Sequence, residues 1–398
     1  MLGGRARPPA EGSGVTRGTT TPRGSLWRLP AMRALVGATG LGFAGYCLTL
    51  ASLPAYAVAN GASADTAGVI TAVFLLVTVA GQSVVPALTA RFGLGPVLAG
   101  GLFALGAPSP LYVLGDGVVW LSAVSAVRGA GFAVLTVLGA VLAAQVAPPE
   151  RRGESIGLYG LAIAVPNLLA VPAGVALVLD GHAGWLAWLS AAPVLAVPLV
   201  PRLARTVHWE GGAGGSSRAA VRAALAPSAV LLLVTLAGGG LLTFLPIERP
   251  DGVLATAALL LFGVTGALTR WRAGLLADRL GTRVLLPAAL AVGAVGLAAV
   301  ALGLGTADAV VLAGAAVFGA GYGAVQNLTL VTAFARAGEG GSTAASAMWN
   351  ASFDTGTAIG ALVLGLVAAG VGLPWTLVLV AGLLLAGLPL ARVATRPA

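Results

Sequence analysis

Gly274-Leu-Leu-Ala-Asp278-Arg279-Leu-Gly281-Thr-Arg283 is a short polar knot between two long apolar runs. Its glycines permit a tight turn between two helices. Asp278 is placed to cap a helix start or to pair with an arginine, and Arg279 and Arg283 add positive charge at a membrane edge. The apolar runs on either side repeat along the chain, which is 58% hydrophobic and only 9% charged over 398 residues. A soluble domain carries about a quarter charged residues. No single core absorbs so much apolar side chain, so the composition reads as a multi-span membrane protein.

Each crossing needs about 20 apolar residues. Such runs fall near 34–58, 67–89, 96–114, 118–145, 155–179 and 185–201, and again near 227–247, 254–276, 284–304, 309–333, 343–369 and 373–391. Barrel strands would show alternating apolarity over much shorter stretches. The expected fold is therefore all-α, with twelve transmembrane helices in two six-helix bundles over 33–201 and 227–392. Residues 1–32 are rich in Gly, Pro, Thr and Arg, lack a hydrophobic stretch and read as a disordered basic tail, not a cleavable signal, since the first apolar run begins too late and is too long. Residues 202–226, with Glu210-Gly-Gly-Ala-Gly-Gly-Ser-Ser217 and four arginines, read as a flexible cytoplasmic linker. Residues 393–398 form a short cytoplasmic tail.

All 22 basic residues are arginine, and the formal charge is +9. Charge of that sign can signal nucleic acid, but position argues otherwise. Twenty arginines, from the tail through Arg91, Arg151, Arg152, Arg202, Arg205, Arg270, Arg272, Arg279, Arg283, Arg336 and Arg392, fall on one side of the predicted spans. Arg249 falls in an outer loop and Arg128 inside a span. By the positive-inside bias both termini are cytoplasmic. The lone Cys47 lies in an apolar run, so neither a disulfide framework nor a metal site is expected.

The halves repeat. Arg91-Phe-Gly93 aligns with Arg279-Leu-Gly281 at a shift of 188, and Gly129-Ala-Gly131-Phe132 with Gly319-Ala-Gly321-Tyr322 at a shift of 190. Leu53-Pro54 near the end of the first span matches Leu245-Pro246 near the end of the seventh. Two equivalent halves joined by a linker are the layout of rocking transporters, with a substrate site near midplane between them.

The pattern G-x-x-x-D-R-x-G-x-R at Gly274–Arg283, in this setting, resembles the signature loop of the major facilitator superfamily. The resemblance extends over nearly all of the chain from Met32. It implies that the loop residues Gly274, Asp278, Arg279, Gly281 and Arg283 help to lock one conformational state through a neighbouring helix. The first half keeps Arg91 and Gly93 but has Pro86 and Ala90 where the second has Gly274 and Asp278. An asymmetric lock is expected.

Ionisable residues deep in a span are expensive and usually functional. Asp354 and Arg128 each lie about ten residues into a span, roughly 15 Å deep. Asp354 sits in Trp349-Asn350-Ala-Ser352-Phe-Asp354-Thr-Gly356, with Asn350 on the same helix face. A carboxylate taken out of water binds a proton more readily, which makes Asp354 a candidate proton carrier. The other reading is a polar contact between helices. Arg128, in Arg128-Gly-Ala-Gly131, matches a fourth-helix arginine that the family associates with proton coupling in exporters. It would tune a proton site or meet an anionic substrate group, or else serve packing alone.

The resemblance also implies that the first, fourth, seventh and tenth helices line the cavity. Tyr46, Thr49, Gln326 and Asn327 on those helices, with Asn350, are then candidate substrate contacts; interhelical hydrogen bonding is the competing reading for each. Gly238-Gly-Gly240 is either a gate hinge or a close-packing site. Exporters of the superfamily carry a fifth-helix pattern near G-P-x-x-G-G; here Val171-Pro172-Ala173-Gly174-Val175-Ala176 keeps only Pro172 and Gly174, and Pro166 adds a second kink candidate. Pro148-Pro-Glu150-Arg151-Arg152-Gly153 resembles the family's fourth-to-fifth loop.

Enzyme chemistry is not expected. His182 and His208 lie apart, no P-loop is present, and no cofactor is implied. The expectation is a monomer in the cell inner (plasma) membrane that exports a small organic compound by proton antiport. Its partners would be that substrate, protons and the lipid bilayer, not nucleic acid. Proton-coupled uptake of a small metabolite, or a non-transporting membrane sensor, are the alternatives.

Overall fold

The structure, a computed structural model, describes residues 25–62, 64–206, 217–248, 253–338 and 340–396. Twelve helices among them are long and apolar enough to cross a membrane: α1 (Pro30–Ala59), α2 (Val69–Phe92), α3 (Leu94–Leu114), α4 (Val118–Gln145), α5 (Pro149–Val178), α6 (Ala183–Arg205), α7 (Arg218–Leu245), α8 (Val253–Leu280), α9 (Thr282–Leu304), α10 (Asp308–Ala337), α11 (Ser342–Val371) and α12 (Leu373–Ala394). The count and order match the sequence reading, with corrections at the ends. Residues 217–226, expected in the linker, are helical, and so are residues 202–206, so the linker is shorter at both ends. A turn of 3-10 helix at Leu26–Arg28 and the helix from Pro30 take up the last part of the expected disordered tail. The rest of the tail, the middle of the linker and Arg249 lie outside the described residues.

The repeat is visible in the packing. In the first half α1 packs on α5, α2 on α4 and α3 on α4. In the second, α7 packs on α11, α8 on α10 and α9 on α10. The same glycines make the same contacts. A Cβ on Gly129 would strike the Phe74 carbonyl, and one on Gly319 the Phe262 carbonyl, 188 residues on from Phe74. Small residues that let backbones touch are how helices associate in lipid, where there is no hydrophobic drive between them.

The two interhelical turns are also copies. Gly93 has φ 81° and ψ 164°, and Gly281 has φ 75° and ψ 161°. Positive φ costs an L side chain energy and costs glycine little, so this turn demands glycine in both halves. Gly238-Gly-Gly240 serves close packing. Added Cβ atoms there would strike Tyr322, Thr357 and Leu364, which seats α7 against α10 and α11.

The halves meet along α5–α8 and α2–α11, with smaller contacts of α4 with α11 and α5 with α10. Six interhalf hydrogen bonds fall toward the end that carries the Gly93 and Gly281 turns. Gly153 N–H and Glu154 N–H donate to the Asp278 carboxylate at 2.8 and 2.9 Å. Asn327 Nδ2 donates to Gly153 O at 3.4 Å, Ser346 Oγ to Val137 O at 2.8 Å and Asn350 Nδ2 to Thr136 O at 3.4 Å. The deepest is Gln82 Nε2 to Asp354 Oδ2 at 2.8 Å. The molecule is therefore fastened at one end.

Candidate transport site

The fastening starts at the signature loop. Asp278 ends α8, and its two carboxylate oxygens accept the first free N–H groups of α5. A helix start offers unsatisfied donors and a positive dipole end, so a carboxylate is its natural partner. Gly274, one turn earlier, lies against Gly153, where a side chain on either would collide with the other's backbone. Farther along, Gly157 faces Trp271 and Gly160 faces Arg270. Glycines at 153, 157 and 160 thus give α5 a bare stripe on which α8 lies.

The remaining loop residues act otherwise. Arg279 and Arg283 are exposed, and Arg91 stacks over Phe92 at 5.3 Å. On the pseudo-equivalent interface, where Asp278 has no counterpart, the α2–α11 contact is made by Gln82 with Asp354 instead. Gln82 is fully buried, and its Oε1 has no hydrogen-bond partner. Asp354 is partly buried and lies within electrostatic range of Tyr46 from α1 and Tyr322 from α10.

Tyr46, Thr49 and Arg128 come together. With Phe74 and Ser125 they line one small pocket in the first half. Tyr46 stacks on Phe132 at 4.1 Å and on Phe74 at 5.2 Å. Arg128 is wholly enclosed. Its Nε donates to Leu105 O at 2.9 Å, its Nη1 to Thr49 Oγ1 and Tyr112 OH at 2.8 and 3.1 Å, and its Nη2 to Gly45 O at 2.7 Å. The guanidinium also lies 5.4 Å from the Tyr112 ring centroid. These partners are neutral and come from α1 and α3, so Arg128 ties three helices of one half together. No bond joins it to Asp354.

Gln326 and Asn327 diverge although adjacent in sequence. Gln326 Oε1 accepts from Arg270 Nη1 at 2.8 Å, while Asn327 reaches across to α5. Asn350 spends its amide on Ser346 and Thr136. Three candidate substrate contacts therefore sit among helix contacts, and Tyr46 faces the pocket.

Arg270 does not stand with the loop arginines at the membrane edge. It is buried within α8, at 8% exposure, so two arginines rather than one lie inside the bundle. Gln82 and Arg270 are the buried polar residues that sequence reading passes over. They are 188 residues apart, the shift that relates the two turns; the buried face of α8 around Arg270 is otherwise apolar, while that of α2 around Gln82 also carries Thr78 and Thr89.

The chain belongs to the major facilitator superfamily, whose family model matches residues 34–346. It is a transporter of that class. No curated protein matches the sequence. Solved structures share the fold at low identity. A major facilitator transporter, FucP, in the outward conformation is 16% identical, with a TM-score of 0.73 over 94% of this chain and 100% of that one. FucP is the Escherichia coli fucose:proton symporter. The human organic anion transporter MFSD10 is 18% identical, with a TM-score of 0.73 over 93% and 100%. The proton:xylose symporter XylE is 17% identical, with a TM-score of 0.68 over 92% and 95%.

Proposed function

We propose that this transporter exports a small organic compound in exchange for protons, with Asp354 as the proton carrier. The observation that carries this reading is the Gln82–Asp354 hydrogen bond, which ties the charge on one membrane-embedded carboxylate to the contact between the halves. A charge-assisted bond is about twice as strong as a neutral one. Ionised Asp354 accepts from Gln82 and favours the fastened state. Protonation from the open side weakens that bond and lets the fastened end part. The proton then leaves to the other side, the carboxylate regains its charge, and the halves close again with substrate aboard.

With the arginine-rich end in the cytoplasm of an inner-membrane protein, this cycle brings protons in and substrate out. Pro172 and Gly174, which remain of the exporters' fifth-helix pattern, support the export reading. Two fold relatives are named as proton symporters, which makes uptake the second reading.

The test uses inside-out vesicles energised to an acidic interior, challenged with a panel of amphipathic organic compounds. Substrate-triggered collapse of the proton gradient, lost in Asp354→Asn, is the expected result. Collapse that persists in a folded Asp354→Asn protein moves the proton site elsewhere. Accumulation of substrate together with protons reverses the direction.

A further inference from the structure

Arg270 and Arg128 are both buried arginines, but they are not in the same condition. Arg128 has a partner for each of its three nitrogens. Arg270 donates one bond, from Nη1 to Gln326 Oε1, and its Nε is buried with no partner. Among the described residues no carboxylate pairs with it. A buried cation without an anion costs several kcal/mol, and a guanidinium presents its donors in a planar fork that matches a carboxylate.

Position adds a second argument. Arg270 is the second-half copy of Gln82 under the 188-residue repeat. Gln82 meets a carboxylate, Asp354, across the interface between halves. Arg270 faces the bare backbone of Gly160 across the other interface, α5–α8, where a side chain would overlap it. The surroundings are Tyr159, Tyr322 and the backbone of Trp271 at Gly157, aromatic and weakly polar. The protein supplies the anion at one interface and leaves it out at the other.

We propose that Arg270, steadied by Gln326, is the recognition point for a carboxylate on the transported compound. The substrate class is then an amphipathic organic monoanion whose apolar body lies among the aromatic side chains. The site opens when α5 and α8 part and the Gly160 backbone withdraws from the guanidinium. This rests on the transporter reading and narrows its substrate.

The experiment uses the purified full-length chain in detergent and a set of paired probes. These are octanoate, benzoate and naphthylacetate, each against its own amide. The midpoint of thermal unfolding is followed as each probe is titrated. The expected result is a rise with at least one carboxylate and not with its amide, abolished in Arg270→Gln and weakened about tenfold in Arg270→Lys. Without ligand, Arg270→Gln is expected to be at least as stable as the parent, because it removes an unpaired buried charge; a purely structural arginine would leave it destabilised.

Equal response to acid and amide, a response that survives in Arg270→Gln, or no response to any carboxylate overturns the proposal. Proton flux driven by neutral or cationic compounds in the vesicle assay separates the two readings. Such flux without a carboxylate response keeps the exchanger and removes the anion site.

Discussion

Arg128 joins α1, α3 and α4 through neutral acceptors. It draws acceptors from Gly45, Thr49, Leu105 and Tyr112 onto one side chain. Replacing it with leucine strands those acceptors in an apolar interior, at a cost on the order of 3 kcal/mol. We expect Arg128→Leu to lower the midpoint of thermal unfolding of the purified protein markedly. Proton flux through protein that does fold should persist. Loss of flux with full stability would return Arg128 to the coupling machinery. Residue roles of this kind are only half legible in a sequence. That Arg128 lies deep follows from counting along a span. Whether its hydrogen bonds are spent depends on α1 and α3, which no local pattern records. Arg270 shows the converse failure. It lies close to the polar knot at Gly274–Arg283, so charge counting assigns it to the membrane edge, although the predicted span 254–276 already contains it.

At the scale of the helix, α5 and α8 form the fastening that depends most on glycine. The stripe Gly153, Gly157, Gly160 matches Gly274, Trp271 and Arg270 along the partner, and Asp278 caps the end. Gly274→Val places a branched side chain against the Gly153 backbone. It should force the fastened ends apart, and the effect should exceed that of Asp278→Ala. The latter removes a helix-start carboxylate contact worth about 1–2 kcal/mol. A spin-label pair at the exposed positions Glu150 and Arg279 reads the gap directly. Longer distances in Gly274→Val, with a smaller shift in Asp278→Ala, are expected; an unchanged distance in both would mean that this contact does not hold the end shut. The need for glycine at 281 is legible from the turn motif, whereas Gly274, expected to serve the turn, lies within α8 and meets the Gly153 backbone instead. The α5 stripe is not legible, because in a chain with 59 glycines a spacing of three to four carries little information without knowing which face meets a neighbour.

For the molecule as a whole, the repeat is what the sequence conveys best. The shift of 188 to 190 appears in motif, in the φ values of Gly93 and Gly281, and in the matched contacts of Gly129 and Gly319. The roles proposed above lie where the copies differ: aspartate against alanine at the turns, glutamine against arginine in α2 and α8. Such differences become readable only after the copies are superposed, so the fold is legible before the site. The one-sided fastening has a consequence for the surrounding lipid. A body tied together in one leaflet and untied in the other displaces unequal areas of the two monolayers, and parting the tied end must widen it against lateral pressure. Lipids with small headgroups, which crowd the acyl region, should therefore bias the protein toward the fastened form. Reconstitution in phosphatidylethanolamine-rich bilayers, compared with phosphatidylcholine alone, should shorten the mean Glu150–Arg279 label distance. An identical distance distribution in both would mean that the two forms occupy equal area in that leaflet.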